Sequence, residues 1–83
     1  MTTRKANERK FPNWDELPDG GRRYWRDVPA RRGRWARYVK IVDANEGTRS
    51  FYQEIYDRTN ALVEVHEKFP IDRGHRRIQE IEI

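Results

Sequence analysis

Residues 20–40, GGRRYWRDVPARRGRWARYVK, set seven arginines and one lysine among four aromatic side chains, with Asp27 as the single acid. Cations that track phosphates, interleaved with rings that stack on bases, are what a single-stranded nucleic acid requires of a protein surface. Arg22, Arg23, Arg26, Arg31, Arg32, Arg34, Arg37 and Lys40 are the candidate phosphate contacts, and Tyr24, Trp25 and Tyr38 the candidate stacking rings. The same residues also suit two ordinary strands. In that reading Tyr24, Trp35 and Tyr38 belong to a core, and the arginines form a solvated face that discourages edge pairing. Arginine forks match phosphate better than lysine does, and 14 of the 18 basic residues are arginine. Arg49, Arg58, Arg73, Arg76 and Arg77 lie outside the segment, which also fits a general arginine preference of the genome.

A second set of residues has the types that acid–base chemistry uses. A hairpin over residues 49–57 and 61–69, closed by Arg58-Thr59-Asn60, aligns Ile55 with Val63 and Gln53 with Val65. Asn60 would take the left-handed conformation that closes such loops. On the other face this register places Tyr52 opposite His66, Glu54 opposite Glu64 and Tyr56 opposite Leu62. Facing carboxylates raise one another's pKa. Beside a histidine and two tyrosines they form a candidate centre for metal-free ribonuclease chemistry. A solvated polar strand face accounts for the same pattern.

GHRR (74–77) opens the last predicted strand. It resembles the end of RelE-type ribosome-dependent endoribonuclease toxins, in which basic residues near the last strands hold RNA and support cleavage. That resemblance implies such roles for His75, Arg76 and Arg77, and it covers four residues. The family's N-terminal helical hairpin has no counterpart in residues 1–33. Over its length, through PNWDELPDGGRRYW, YVKIVD, QEIYD, LVEVHEKFPID and GHRR, the chain is similar to short bacterial proteins of a domain family of unknown function. That likeness implies no activity.

The elements that must position these residues are mostly strands. Residues 1–10 are polar and without period, and read as a disordered tail. Asn13 followed by Glu16 fits a capping box, so 13–17 is expected as a single helical turn, with Phe11, Trp14 and Leu17 lying across the core as a lid. Residues 22–28 and 34–43 alternate as strands; Trp35, Val39 and Ile41 share one face of the second, and Ala36, Tyr38 and Val42 the other. Both faces being partly apolar, that strand is expected in the middle of the sheet. In ANEGT (44–48), Gly47 is the candidate for a positive φ. Residues 76–83 read as a final strand with Ile81 and Ile83 on one face. The expected fold is all-β: an antiparallel meander of about five strands, curled or barrel-like, forming one small domain over 11–83.

Composition bounds the rest. Eighty-three residues, 39% charged and 35% hydrophobic, make a thin core, but 12% aromatics can hold one together. The absence of cysteine removes disulfides, thiolate metal sites and a cysteine nucleophile. The two histidines have no ligand spacing, so neither metal nor cofactor is expected. No apolar run reaches the roughly 18 residues of a membrane span, and the first residues lack the apolar segment of a secretory signal. A cytoplasmic bacterial protein is expected. The net charge of +4 is concentrated in the one basic segment, which suggests an anionic partner. Three readings result: a binding module for nucleic acid, RNA before DNA; a metal-independent endoribonuclease of toxin–antitoxin type using His75, Glu64, His66, Arg76 and Arg77; and a protein-interaction domain that meets an acidic partner or completes its core as a homodimer.

Overall fold

The computed structural model describes residues 3–72 and 74–77. Helix α1 (Arg4–Lys10) is followed by strands β1 (Asn13–Glu16), β2 (Arg22–Pro29), β3 (Trp35–Val42), β4 (Thr48–Tyr56), β5 (Leu62–Phe69) and β6 (Gly74–Arg77). The strands form one antiparallel meander in chain order, and the sheet is open, not closed into a barrel. The all-β expectation holds, with six strands in place of about five. The expected strand at 76–83 begins two residues earlier, and Ile81 and Ile83 lie outside the described residues.

Both departures at the N-terminal end have long-range causes. Residues 4–10 are helical, not disordered. The Thr3 hydroxyl accepts from the Ala6 N–H, and Asn7 is fully buried against the sheet. Residues 13–16 are a strand and not a helical turn. Trp14 stands opposite Tyr24 with ring centroids 6.0 Å apart, and the Glu16 carboxylate accepts from Arg22. A paired neighbour outweighs a local capping preference. Phe11, between α1 and β1, is buried beside Tyr24 and Val42, with Tyr38 and Phe51 packed around them. The lid is therefore α1 with Phe11, while Trp14 is 38% exposed on the edge strand.

α1 is fastened through Glu46, in the β3–β4 turn. Its buried carboxylate accepts from Asn7 at 2.8 Å, from Arg4 at 2.9 Å and from the Tyr24 hydroxyl at 2.9 Å. Glu46 itself takes the positive φ of this turn, 64°, in place of Gly47. Gly47 is needed for space: a Cβ there would lie 2.8 Å from Asp43 Oδ2, where the carboxylate caps the turn.

The β4–β5 hairpin closes as the sequence implies, with Asn60 at φ 67° and the Asp57 side chain accepting from the N–H groups of Thr59 and Ala61. Its register differs. Tyr56 stands opposite Leu62, but an irregularity at the next step sets Ile55 opposite Glu64, Glu54 opposite Val65 and Gln53 opposite His66. The extra residue of a bulge exchanges the two faces for the strand residues beyond it.

Burial alone would raise the Glu46 pKa, but the hydrogen bonds from Asn7, Arg4 and Tyr24 outweigh it and hold the carboxyl below its usual value. Its contribution is therefore complete above the unfolded-state pKa of about 4.3 and is lost as pH falls through the lower folded value. Glu46→Ala should reduce unfolding free energy by about 2–4 kcal/mol in urea at pH 7, and Tyr24→Phe by about 1–2 kcal/mol. The gap between wild type and Glu46→Gln should begin to narrow as pH falls past the unfolded-state value of about 4.3 and go on narrowing through the lower folded value. A gap that stays the same from pH 7 down through the acid range would show that the carboxylate charge does not hold the helix.

Candidate nucleic-acid interface

Residues opposite one another in an antiparallel ladder project to the same side of the sheet, and this sorts the basic segment onto two faces. Arg22, Tyr24, Arg26 and Val28 of β2 share the helix-bearing face with Val42, Lys40, Tyr38 and Ala36 of β3. Arg23, Trp25 and Asp27 share the second face with Ile41, Val39 and Arg37.

The second face is largely occupied with itself. Trp35 stacks on Tyr56 at 4.3 Å and 11°, and its indole N–H donates to Asn60 at 2.9 Å. The Arg37 guanidinium lies 5.3 Å from the Trp35 ring and 5.9 Å from Trp25, and donates twice to Asp27, at 2.7 and 3.0 Å. Arg23 covers Trp25 at 4.9 Å. This layer flanks Val39, which is fully buried. Its arginines are engaged with aromatic faces and, for Arg37, a carboxylate that holds its pKa above the ordinary arginine value.

On the helix-bearing face, α1 takes one half, and among the described residues no helix covers the other. Under the helix, Tyr24 is fully buried and offers no stacking surface. Arg22 is buried and donates to Glu8 at 2.7 Å and Glu16 at 3.2 Å, so it is a structural cation; the Glu8 bond leads the causes that raise its pKa. The Lys40 ammonium donates to Asn7 at 2.9 Å, and burial lowers its pKa.

Beyond the helix, one row crosses five strands: Arg26, Tyr38, Gln53, His66 and His75 are successive register partners. With strands about 4.8 Å apart the row spans roughly 19 Å. Gln53 donates to the Tyr38 hydroxyl at 3.1 Å, and Lys68 lies 5.5 Å over the Tyr38 ring. The next row runs Val28, Ala36, Ile55, Glu64 and Arg77. Against its far end the β2–β3 loop closes a recess of about 380 Å³ lined by Ala30, Arg31, Arg32, Arg34, Ile55, Glu64 and His75. Arg32 sits in the left-handed region at φ 60°, and Arg58 donates to its carbonyl at 3.4 Å, which braces the loop. Arg34 donates to Glu64 Oε2 at 3.2 Å, while Glu64 Oε1 is 4.0 Å from His75 Nδ1. His66 pairs with Asp72 at 2.6 Å, and its ring centroid is 4.4 Å from that of His75. Hydrogen bonds from the Gly74 N–H and from His66 lower the Asp72 pKa.

The structure thus brings Arg26, Arg31, Arg32, Arg34, Tyr38, Glu64, His66, His75 and Arg77 to one surface. It sends Arg23, Trp25 and Arg37 to the other, and Arg22, Tyr24 and Lys40 beneath the helix. The expected Glu54–Glu64 pair does not form. Glu54 stays on the second face, accepting from the Tyr56 hydroxyl at 3.1 Å, while Glu64 turns to the histidines. Tyr52 stands opposite Glu67 and not His66. Arg76 stands opposite Val65 in the ladder. Gln53, Lys68 and Asp72 complete the surface without having been singled out, because each gains its place from a neighbouring strand or turn and not from a local motif.

No family model matches the chain, and neither a curated protein nor a solved structure matches it. Among the described residues no three His, Cys, Asp or Glu side chains group as a metal site, and no helix is long and apolar enough to cross a membrane.

The burial and pairing of Arg22 separate it from the other arginines in a measurable way. Arg22→Ala should lower stability by about 2–4 kcal/mol in urea unfolding, since it leaves Glu8 and Glu16 without their shared cation. An Arg22→Ala protein as stable as wild type would place that guanidinium outside the core.

Proposed function

We propose that this protein is a small binding module that holds single-stranded RNA along the open half of its helix-bearing face, in the bacterial cytoplasm. One observation carries this reading. Arg26, Arg31 and Arg32 have no carboxylate partner among the described residues, and they flank a continuous polar row that ends at the exposed His75. Within the basic segment, Arg22, Arg34 and Arg37 are by contrast paired with carboxylates of the fold. Unneutralised cations on one side of a sheet form an electrostatic track for a polyanion. The His75 ring and the rim of Tyr38 supply the stacking surface. With so little of it, binding rests on phosphates and carries weak sequence preference.

A salt titration of binding to a mixed-sequence single-stranded RNA tests the surface, with a DNA of the same sequence beside it. Arg26→Ala, Arg31→Ala and Arg32→Ala should each weaken binding and reduce the slope of log K against log salt by about one unit. Arg23→Ala and Arg37→Ala on the second face should leave that slope unchanged, and tryptophan emission should change little on binding. If the second-face variants alter the slope and the loop variants do not, the face is wrongly assigned. If no polyanion binds at low salt, an acidic protein or a second copy of the chain becomes the partner to seek.

A further inference from the structure

We infer that the recess beneath the β2–β3 loop is a catalytic site for cleavage of RNA by internal transesterification, with His75 as the group that moves the proton. This rests on the RNA-binding reading above and adds a reaction to it.

The two histidines are not equivalent. His66 has Nε2 held by Asp72 at 2.6 Å, while its Nδ1 is buried without a hydrogen-bond partner among the described residues. Neither of its nitrogens is presented to a substrate. His75 is 46% exposed, lines the recess, and turns Nδ1 toward Glu64 at 4.0 Å. Its Nε2 has no partner among the described residues. Glu64 is itself held by Arg34. An imidazole with one nitrogen facing a braced carboxylate and the other free has the arrangement of a positioned general base.

The second half of the requirement is charge stabilisation where negative charge accumulates. Arg31 and Arg32 line the same recess, and the loop that carries them is braced by Arg58. Guanidiniums at a reacting phosphate lower the barrier by opposing the negative charge that develops there. The left-handed φ of Arg32 is a strained conformation inside this loop, and such strain concentrates at functional sites.

The step balances without a metal, water or co-reactant. Neutral His75 accepts the proton of a ribose 2′-hydroxyl. The 2′-oxygen forms a bond to the adjacent phosphorus while the bond from phosphorus to the 5′-oxygen breaks. The proton passes from His75 to that departing oxygen. The products are a 2′,3′-cyclic phosphate and a 5′-hydroxyl, and the imidazole is restored. Glu64 is a positioning residue, which orients His75 and favours its protonated form midway.

The full-length protein is incubated, in the presence of EDTA, with an end-labelled single-stranded RNA and with its DNA counterpart, and binding is measured on the same samples. RNA fragments ending in 2′,3′-cyclic phosphate and 5′-hydroxyl, with intact DNA, are expected. His75→Ala, purified identically, should cleave at least 100-fold more slowly when the rate is taken at protein concentrations that saturate the RNA, so that lost stacking affinity does not enter it. Glu64→Gln should slow cleavage about tenfold or more and shift the pH–rate profile, which a purely structural role would not do. RNA that is bound but not cut, or cut equally by His75→Ala, overturns the catalytic inference and leaves the binding reading standing. RNA that is neither bound nor cut overturns both. Circular dichroism of each variant identifies loss of fold. If His75→Ala unfolds, His75→Gln takes its place under the same criteria.

Discussion

The buried carboxylate of Glu46 is the constraint on which the arrangement of this protein depends. A charge removed from water must be compensated, and Glu46 is compensated by one residue from the sheet, Tyr24, and two from the helix, Arg4 and Asn7. That shared need ties α1 to the sheet near the β3–β4 turn. A seven-residue helix is too short to be stable by itself, so its docking is what makes it a helix at all. Once docked, it buries Phe11 against Tyr24 and Val42, and it decides which part of the face is core and which stays open.

Charge pairing obeys the same logic across the molecule. A small domain with 39% charged residues has little apolar area to spare, so its aromatic layers are completed by cations. Arg22 lies against the Trp14 and Tyr24 rings, Arg23 against Trp25, and Arg37 across Trp25 and Trp35. The aliphatic stems of arginine extend the apolar layer while the heads remain polar. Much of the basic segment is consumed in this way. Of the segment's cations, Arg26, Arg31 and Arg32 have no such contact among the described residues, and they lie toward the β2–β3 end of the open half-face.

A register irregularity of one residue shapes the rest of that surface. With regular pairing from the hairpin turn, Glu64 would face Glu54 on the second side of the sheet. The irregularity after Tyr56 turns it to the helix-bearing side, where Arg34 and His75 meet it. The same shift puts His66 in line with Gln53 and, across β6, with His75. Two like charges directly opposed on one face are destabilising, and the shifted register removes that opposition while giving each carboxylate a polar partner.

Alternation with period two, the glycine and asparagine turns and the aromatic content were sufficient to read an antiparallel meander, the central place of β3 and the left-handed Asn60. These are local properties, set by the pleat and by backbone sterics, and they are written in adjacent residues. The residue types of the surface were equally legible, since arginines, histidines and Glu64 stand out by chemistry alone. Their grouping was not. The strand character of 13–16, the helix at 4–10, the division of the arginines between two faces and the meeting of Glu64 with His75 all arise from contacts between residues far apart in the chain. Only the folded chain settles them, because the free energy that selects one partner over another comes from burial and pairing that no local window contains.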